Sequence, residues 1–184
     1  MSAILDQLRP SYANLWGKMI INPSVLPELK QQVAKILPGK LNYVGVETST
    51  GIPWRFIGII HSMECNCSFL EHLHNGDPLT ERTVLVPAGR PLTGNPPFTW
   101  HDSAVDALHF EGFKSSDDWS IEGMLFGWES YNGFGSRKYH GINTPYLWSG
   151  SNAYIKGKYG SDGKYDPNLV SKQIGAALLL KKLL

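Results

Sequence analysis

Apolar residues in this chain recur mostly at three- and four-residue spacing, the period of a helix with one buried face. Residues 2–18 fit that period and predict a first helix. A second runs from about Ser24 to Leu37, with Ser24 as N-cap and Pro38-Gly39 as terminator. Leu41 to Thr48 is a short third. Ser49-Thr50-Gly51-Ile52 is a turn, and Pro53 suits the first turn of a helix carrying Trp54, Ile57, Ile60, His61 and Glu64 at helical spacing. The pattern then breaks. Asn75-Gly76-Asp77-Pro78 is dense in turn residues, and Thr83-Val84-Leu85-Val86 is short and β-prone. Pro87, Gly89, Pro91, Gly94, Pro96 and Pro97 exclude long regular elements, so a small hairpin followed by an ordered loop is predicted. Helix returns over Ser103 to Phe110, capped by Thr99 or Asp102. Another runs from Trp119 to about Tyr131, capped by Asp117 or Asp118 and ended by Gly133. Tyr154 to Tyr165, with Ser161-Asp162-Gly163 in the middle, is a second hairpin or a loop. Pro167 to Leu184 predicts a closing helix with Ile174, Ala177, Leu178 and Lys181 in register. The expected class is α+β and mostly helical, a single domain over residues 1–184 with a small β-hairpin after the Glu64 helix.

Composition narrows this only slightly. The chain has 184 residues, 42% hydrophobic and 18% charged, which suits one globular domain with a core. A net charge of +1 gives no overall basic signature of a nucleic-acid binder. The longest apolar run, Ile174 to Leu180 broken by Gly175, falls far short of the ~20 residues of a membrane span. Asp6 and Arg9 stand where an apolar signal segment would lie, so no secretion signal is expected. Cys65 and Cys67 are two apart and poorly placed to bond each other, which points to a reduced protein made in the cytoplasm.

Glu64 changes the picture most. On an apolar stripe, burial would disfavour its charged form and raise its pKa, as the general acid of a glycosidase requires. A solvated glutamate at a frayed helix end is the plainer alternative. Asp77 and Glu81 follow it by 13 and 17 residues and are candidate second carboxylates, although Asp77 is equally a turn residue. Thr83, six residues past Asp77, could help hold a water. The six histidines include His61, one helical turn from Glu64 and able to tune it. His72 and His74 with His61, Cys65 or Cys67 match no paired-ligand zinc spacing, and a Cys–His nucleophile pair lacks an electropositive context. No metal and no cofactor are expected. In Trp128-Glu129-Ser130-Tyr131-Asn132-Gly133-Phe134-Gly135, a helix cap explains Gly133 but not the polar-aromatic run before it.

Ile60-His61-Ser62-Met63-Glu64-Cys65-Asn66-Cys67-Ser68-Phe69 resembles the catalytic helix of the lysozyme-like superfamily, especially goose-type lysozymes and lytic transglycosylases. Tyr131-Asn132-Gly133-Phe134-Gly135 looks like their sugar-site motif, in the same order. His72 to Thr80 and Val86 to Pro91 resemble segments of phage and prophage lysozyme-family proteins, over roughly two thirds of the chain. Departures are Cys65, where the goose-type pattern has Ser, and the Pro/Gly-rich stretch that follows. The resemblance implies a lysozyme-like fold and a peptidoglycan-degrading glycosidase of endolysin type, a muramidase cleaving the β-1,4 bond between N-acetylmuramic acid and N-acetylglucosamine. Glu64 is then the acid, with Asp77 and Thr83 at the spacing of the phage enzymes' water-positioning pair. Tyr131 and Asn132 are implied sugar contacts, and His61, His74, Glu129 and Tyr146 complete the candidate substrate-binding set. The alternatives are a lytic transglycosylase with Glu64 as sole acid and base, a non-catalytic wall- or chitin-binding domain, and a metal- or cysteine-dependent amidase. The expected partner is the peptidoglycan strand, met by a monomer with no nucleic-acid partner and no membrane insertion. Without a signal, such an enzyme would reach the wall in the periplasm only after release by another factor.

Overall fold

The computed structural model describes residues 3–160 and 163–184; residue 2, included in the first expected helix, and Ser161-Asp162 of the expected second hairpin lie outside the described residues. The chain is mostly helical with one small two-stranded antiparallel sheet. It divides into two compact units. A terminal unit comprises residues 1–33 and 118–184, and a central unit comprises residues 34–117.

The terminal unit begins with α1 (Ala3–Lys18). Asn22 caps a short 3-10 turn over Pro23–Val25, accepting from Ser24 N–H, so the cap falls two residues before the expected Ser24. Then comes α2 (Leu26–Ile36), within which the unit boundary lies. α6 (Ile121–Asn132) is capped by Ser120, which accepts from Gly123 N–H, rather than by Asp117 or Asp118. Gly123 is required there, because a Cβ would stand 1.9 Å from the Asp118 carbonyl oxygen. α7 (Gly135–His140), α8 (Pro145–Trp148) and α9 (Ala176–Leu183) follow. Between α8 and α9, β1 (Lys158–Tyr159) pairs with β2 (Tyr165–Asp166), so the Tyr154–Tyr165 segment does contain a hairpin. α1 and α8 pack on α6, and α9 on α8, around Tyr12, Trp128, Leu147, Trp148 and Leu178. The closing helix is shorter than predicted. Residues 167–175 are irregular, and Gly175, extended at φ −70° and ψ 147°, starts α9. Ala176 to Leu180 are then buried without a gap, so this helix has no polar face in its first five residues.

The central unit is built on α3 (Lys40–Thr50), α4 (Trp54–Cys65) and α5 (Trp100–Phe110), with α3 packed on both others. α3 ends at Gly51, whose φ of 72° and 2.5 Å approach of a Cβ to Ser115 Cβ leave room for glycine alone. Pro53 opens α4, and Asn66 closes it in the left-handed conformation at φ 48°. Thr99 caps α5, accepting from Asp102 N–H. Tyr43, Ile52, Phe56, Ile57, Ile59, Ile60, Leu73 and Leu108 are fully buried in this unit.

The expected hairpin after α4 is absent among the described residues. The 66–99 segment contains one isolated bridge, Glu71 to Pro78, and otherwise turns and bends. Side chains replace the ladder. Asp77 Oδ2 accepts from Val84 N–H at 2.8 Å and Leu85 N–H at 3.0 Å, so those donors cannot face a partner strand. Thr83 N–H donates to Arg90 O and Gly89 N–H to Thr83 O, closing a tight loop. Val84, Leu85 and Val86 stand at its tip with 76, 60 and 90% of their surface exposed.

Candidate functional site

Residues 56–62 of α4 are buried on every side. The helix emerges only in its last turn, where Met63 is half-buried and Glu64 exposed. The apolar stripe therefore ends at His61, and the burial expected to tune the Glu64 carboxylate is not there. Its mounting is rigid nevertheless. His61, one turn before, is fully buried, with Nδ1 3.0 Å from the Tyr43 hydroxyl and Nε2 2.9 Å from the Ser68 carbonyl oxygen. Tyr43, Phe69 and Trp100 enclose the ring. Burial pushes its pKa down to about 4, so it stays neutral near pH 7. His61 is thus a core histidine that braces α4, not a substrate contact. Cys65 is buried, and its thiol donates to His72 O. Burial raises its pKa to about 12, which leaves the thiol protonated and removes the basis of a cysteine nucleophile.

Asp77 and Thr83 are brought together in the 66–99 loop, but as its fasteners. Besides two backbone N–H groups, Asp77 Oδ2 accepts from Asn75 Nδ2 at 3.0 Å. These bonds, led by that from Leu85, hold its carboxyl below the usual aspartate range despite partial burial. Thr83 is 2% exposed; its hydroxyl donates to Pro87 O and accepts from Arg90 N–H. Both groups of the expected water-positioning pair are spent on loop geometry. Glu81, the other candidate carboxylate, is exposed, and its carbonyl oxygen lies 2.8 Å from His72 Nε2. The His74 side chain is buried, with Nε2 2.8 Å from Asp106 Oδ2, and Arg90 clasps the same carboxylate through two bonds of 2.9 and 2.7 Å. Its Nδ1 is buried without a hydrogen-bond partner among the described residues. His74, too, fastens the loop rather than reaching outward.

Sequence reasoning did not single out Ser49, whose Oγ lies 2.9 Å from His101 Nε2 beside a cavity of about 370 Å³. Asp102 is 3.4 Å from His101 Nδ1. This is no working triad. Asp102 Oδ2 accepts from the capping Thr99 hydroxyl, and Ser49 also lies within bonding distance of Gly45 O, as helix serines commonly do. No group of three His, Cys, Asp or Glu side chains placed to hold a metal occurs among the described residues.

In the terminal unit, Glu129 is fully buried. Arg137 Nε and Nη2 donate to its two oxygens at 2.9 Å each, and the Tyr12 hydroxyl donates to Oε2 at 2.7 Å. Burial, then the Glu129 charge, raise the Tyr12 pKa, so this phenol stays protonated. Glu129 therefore ties α1, α6 and α7 together and offers nothing to a substrate, which corrects its assignment. Tyr12, 117 residues away, left no sequence signal; Arg137, two turns downstream, could have been suspected. Tyr146 is buried as well. Tyr131 is half-buried and Asn132 exposed at the end of α6, so these two of the expected sugar contacts remain at the surface.

Comparison of the chain with models of protein families, with curated proteins and with solved structures finds no match.

Proposed function

We propose that the protein cleaves the β-1,4 glycan strand of peptidoglycan with Glu64 as general acid, on a lysozyme-like fold. One observation carries the proposal: a carboxylate exposed in the last turn of a helix otherwise locked in the core. Such a group is accessible to a polymer and stands on a firmly packed helix, which suits proton delivery to a glycosidic oxygen. The resemblance of residues 60–69 and 131–135 to the lysozyme-like motifs supports the substrate class. In E64Q, lysis of purified cell walls should fall by at least about a hundredfold, the usual worth of a general acid, with unchanged thermal melting. Near-normal lysis by E64Q would sink the proposal. Binding of walls by the wild type without released product would leave a non-catalytic wall-binding domain instead.

A second outcome of the same chemistry is favoured by the bonding of Asp77 and Thr83. With both committed to the loop, neither Asp77 nor Thr83 is free to direct water. Glu64 would then act twice, protonating the leaving oxygen and afterwards accepting the proton of the sugar hydroxyl that closes on the anomeric carbon. Mass spectrometry of the released fragments separates the routes. Anhydro ends identify a lytic transglycosylase, and hydrated reducing ends a muramidase.

A further inference from the structure

The net charge of +1 hides an uneven distribution. Residues 130–184 carry eight Lys and Arg against two Asp, a net of +6, whereas residues 1–129 carry nine against fourteen acidic residues, a net of −5. Between Ser130 and Ser161 there is no acidic residue. Part of this basic stretch is gathered in the terminal unit by α7 and the β1–β2 hairpin. The two join through aromatic rings. His140 stacks on Tyr165 with centroids 3.4 Å apart and planes 6° from parallel, and its Nε2 lies 3.1 Å from the Tyr159 hydroxyl. Tyr159 and Tyr165 are cross-strand partners.

What this joint presents is aromatic and cationic. Tyr139 is 68% and Tyr159 39% exposed, and Lys138 Nζ stands 5.1 Å from the Tyr139 ring centre. Lys156 is exposed and its Nζ donates to a neutral partner, Asn168 Oδ1, at 2.8 Å; Lys158 is half-buried, in register with Asp166, the acidic residue of the hairpin strands. Aromatic faces accept the C–H faces of sugars, and ammonium groups pair with carboxylates. Peptidoglycan supplies both, through its pyranose rings and the carboxylates of its lactyl groups and stem peptides. We infer that α7 and the hairpin form an anchoring surface, separate from Glu64 chemistry, that holds the anionic glycan strand. The partner class rests on the proposed wall-glycan function; the surface itself rests on charge and ring exposure.

Sedimentation of the E64Q protein with purified insoluble sacculi tests binding without turnover. E64Q should pellet with sacculi at low salt and release as salt rises through the screening range. Adding K138E, K156E and K158E should weaken binding about tenfold, and Y139A with Y159A should weaken it with less change in salt dependence. Far-UV circular dichroism and melting checks that both variants stay folded. Parent-like affinity in either set would overturn the inference, as would preference for duplex DNA over sacculi. The two proposals fail separately. Lysine-dependent binding without cleavage by the wild type removes the glycosidase and keeps the anchor. Cleavage with lysine-independent binding does the reverse.

Discussion

At the scale of single residues, burial separates the carboxylates. Glu64 is exposed at the end of α4, whereas Glu129, Asp77 and Asp106 are bonded inward. Breaking the Glu129–Arg137 pair leaves an uncompensated buried charge, so R137M should destabilise the protein by about 3–5 kcal/mol. E129Q, which keeps hydrogen-bonding capacity, should cost less. Urea denaturation of both checks the order, and equal, negligible losses would contradict the buried-triad account. The sequence showed that Glu129 was out of place in an ordinary helix end but not why. A carboxylate waiting for a ligand and one bonded to a distant Tyr and Arg look the same in one dimension. His61 and His74 misled for the same reason, since their partners Tyr43 and Asp106 lie 18 and 32 residues away.

At the scale of elements, the helices were legible because their signals are local. Periodicity, Pro53 and Gly133 placed the start of α4, the end of α5 and the end of α6 within about two residues, while α5 begins at Trp100, three residues before the expected Ser103, behind the Thr99 cap. Gly51 illustrates how strict such a signal can be. G51A combines positive φ with a clash at Ser115 and should lower stability by about 1–3 kcal/mol, measurable as a fall in melting temperature. The hairpin after α4 was illegible because β-propensity counts side chains and not where the backbone donors go. Thr83 to Val86 is β-prone, yet its amides are taken by Asp77 and by the Thr83–Arg90 closure. The apolar stripe of α4 failed at its last member because the whole middle of the helix is buried; a stripe has no direction to extrapolate when every side is core.

At the scale of the whole molecule, the chain divides into two compact units, each with its own buried residues. Their titrating groups give a defined response to acid. His61 and His74 have pKa values lowered chiefly by burial, so the unfolded chain binds their protons first. Their stabilisation is complete above the unfolded value of 6.5 and is lost as pH falls below it, for His61 down towards about 4. Asp77 and Asp118 have lowered carboxyl values, led by backbone hydrogen bonds, and their contribution is lost only below the unfolded value of 3.8. Both histidines lie in the central unit. Hydrogen exchange should therefore show amides of residues 34–117 losing protection between pH 6.5 and 4.5, while those of the terminal unit hold. Uniform loss across both would contradict it. H61Q should flatten the dependence.

The loop tip at Val84-Leu85-Val86 has one more consequence. Three adjacent, exposed apolar residues of β-prone sequence offer an edge on which a second copy could pair. Here that edge is blocked, because the Asp77 carboxylate occupies the amides of Val84 and Leu85 that an incoming chain would need. D77A should remain folded in the cold yet bind thioflavin T and turn turbid on concentration, at a pH where the wild type stays clear. A D77A solution that stays as clear as the wild type would show that the tip is guarded by something else. Asp77 would then owe its place neither to sugar chemistry nor to turn formation alone, but to keeping copies of this protein apart.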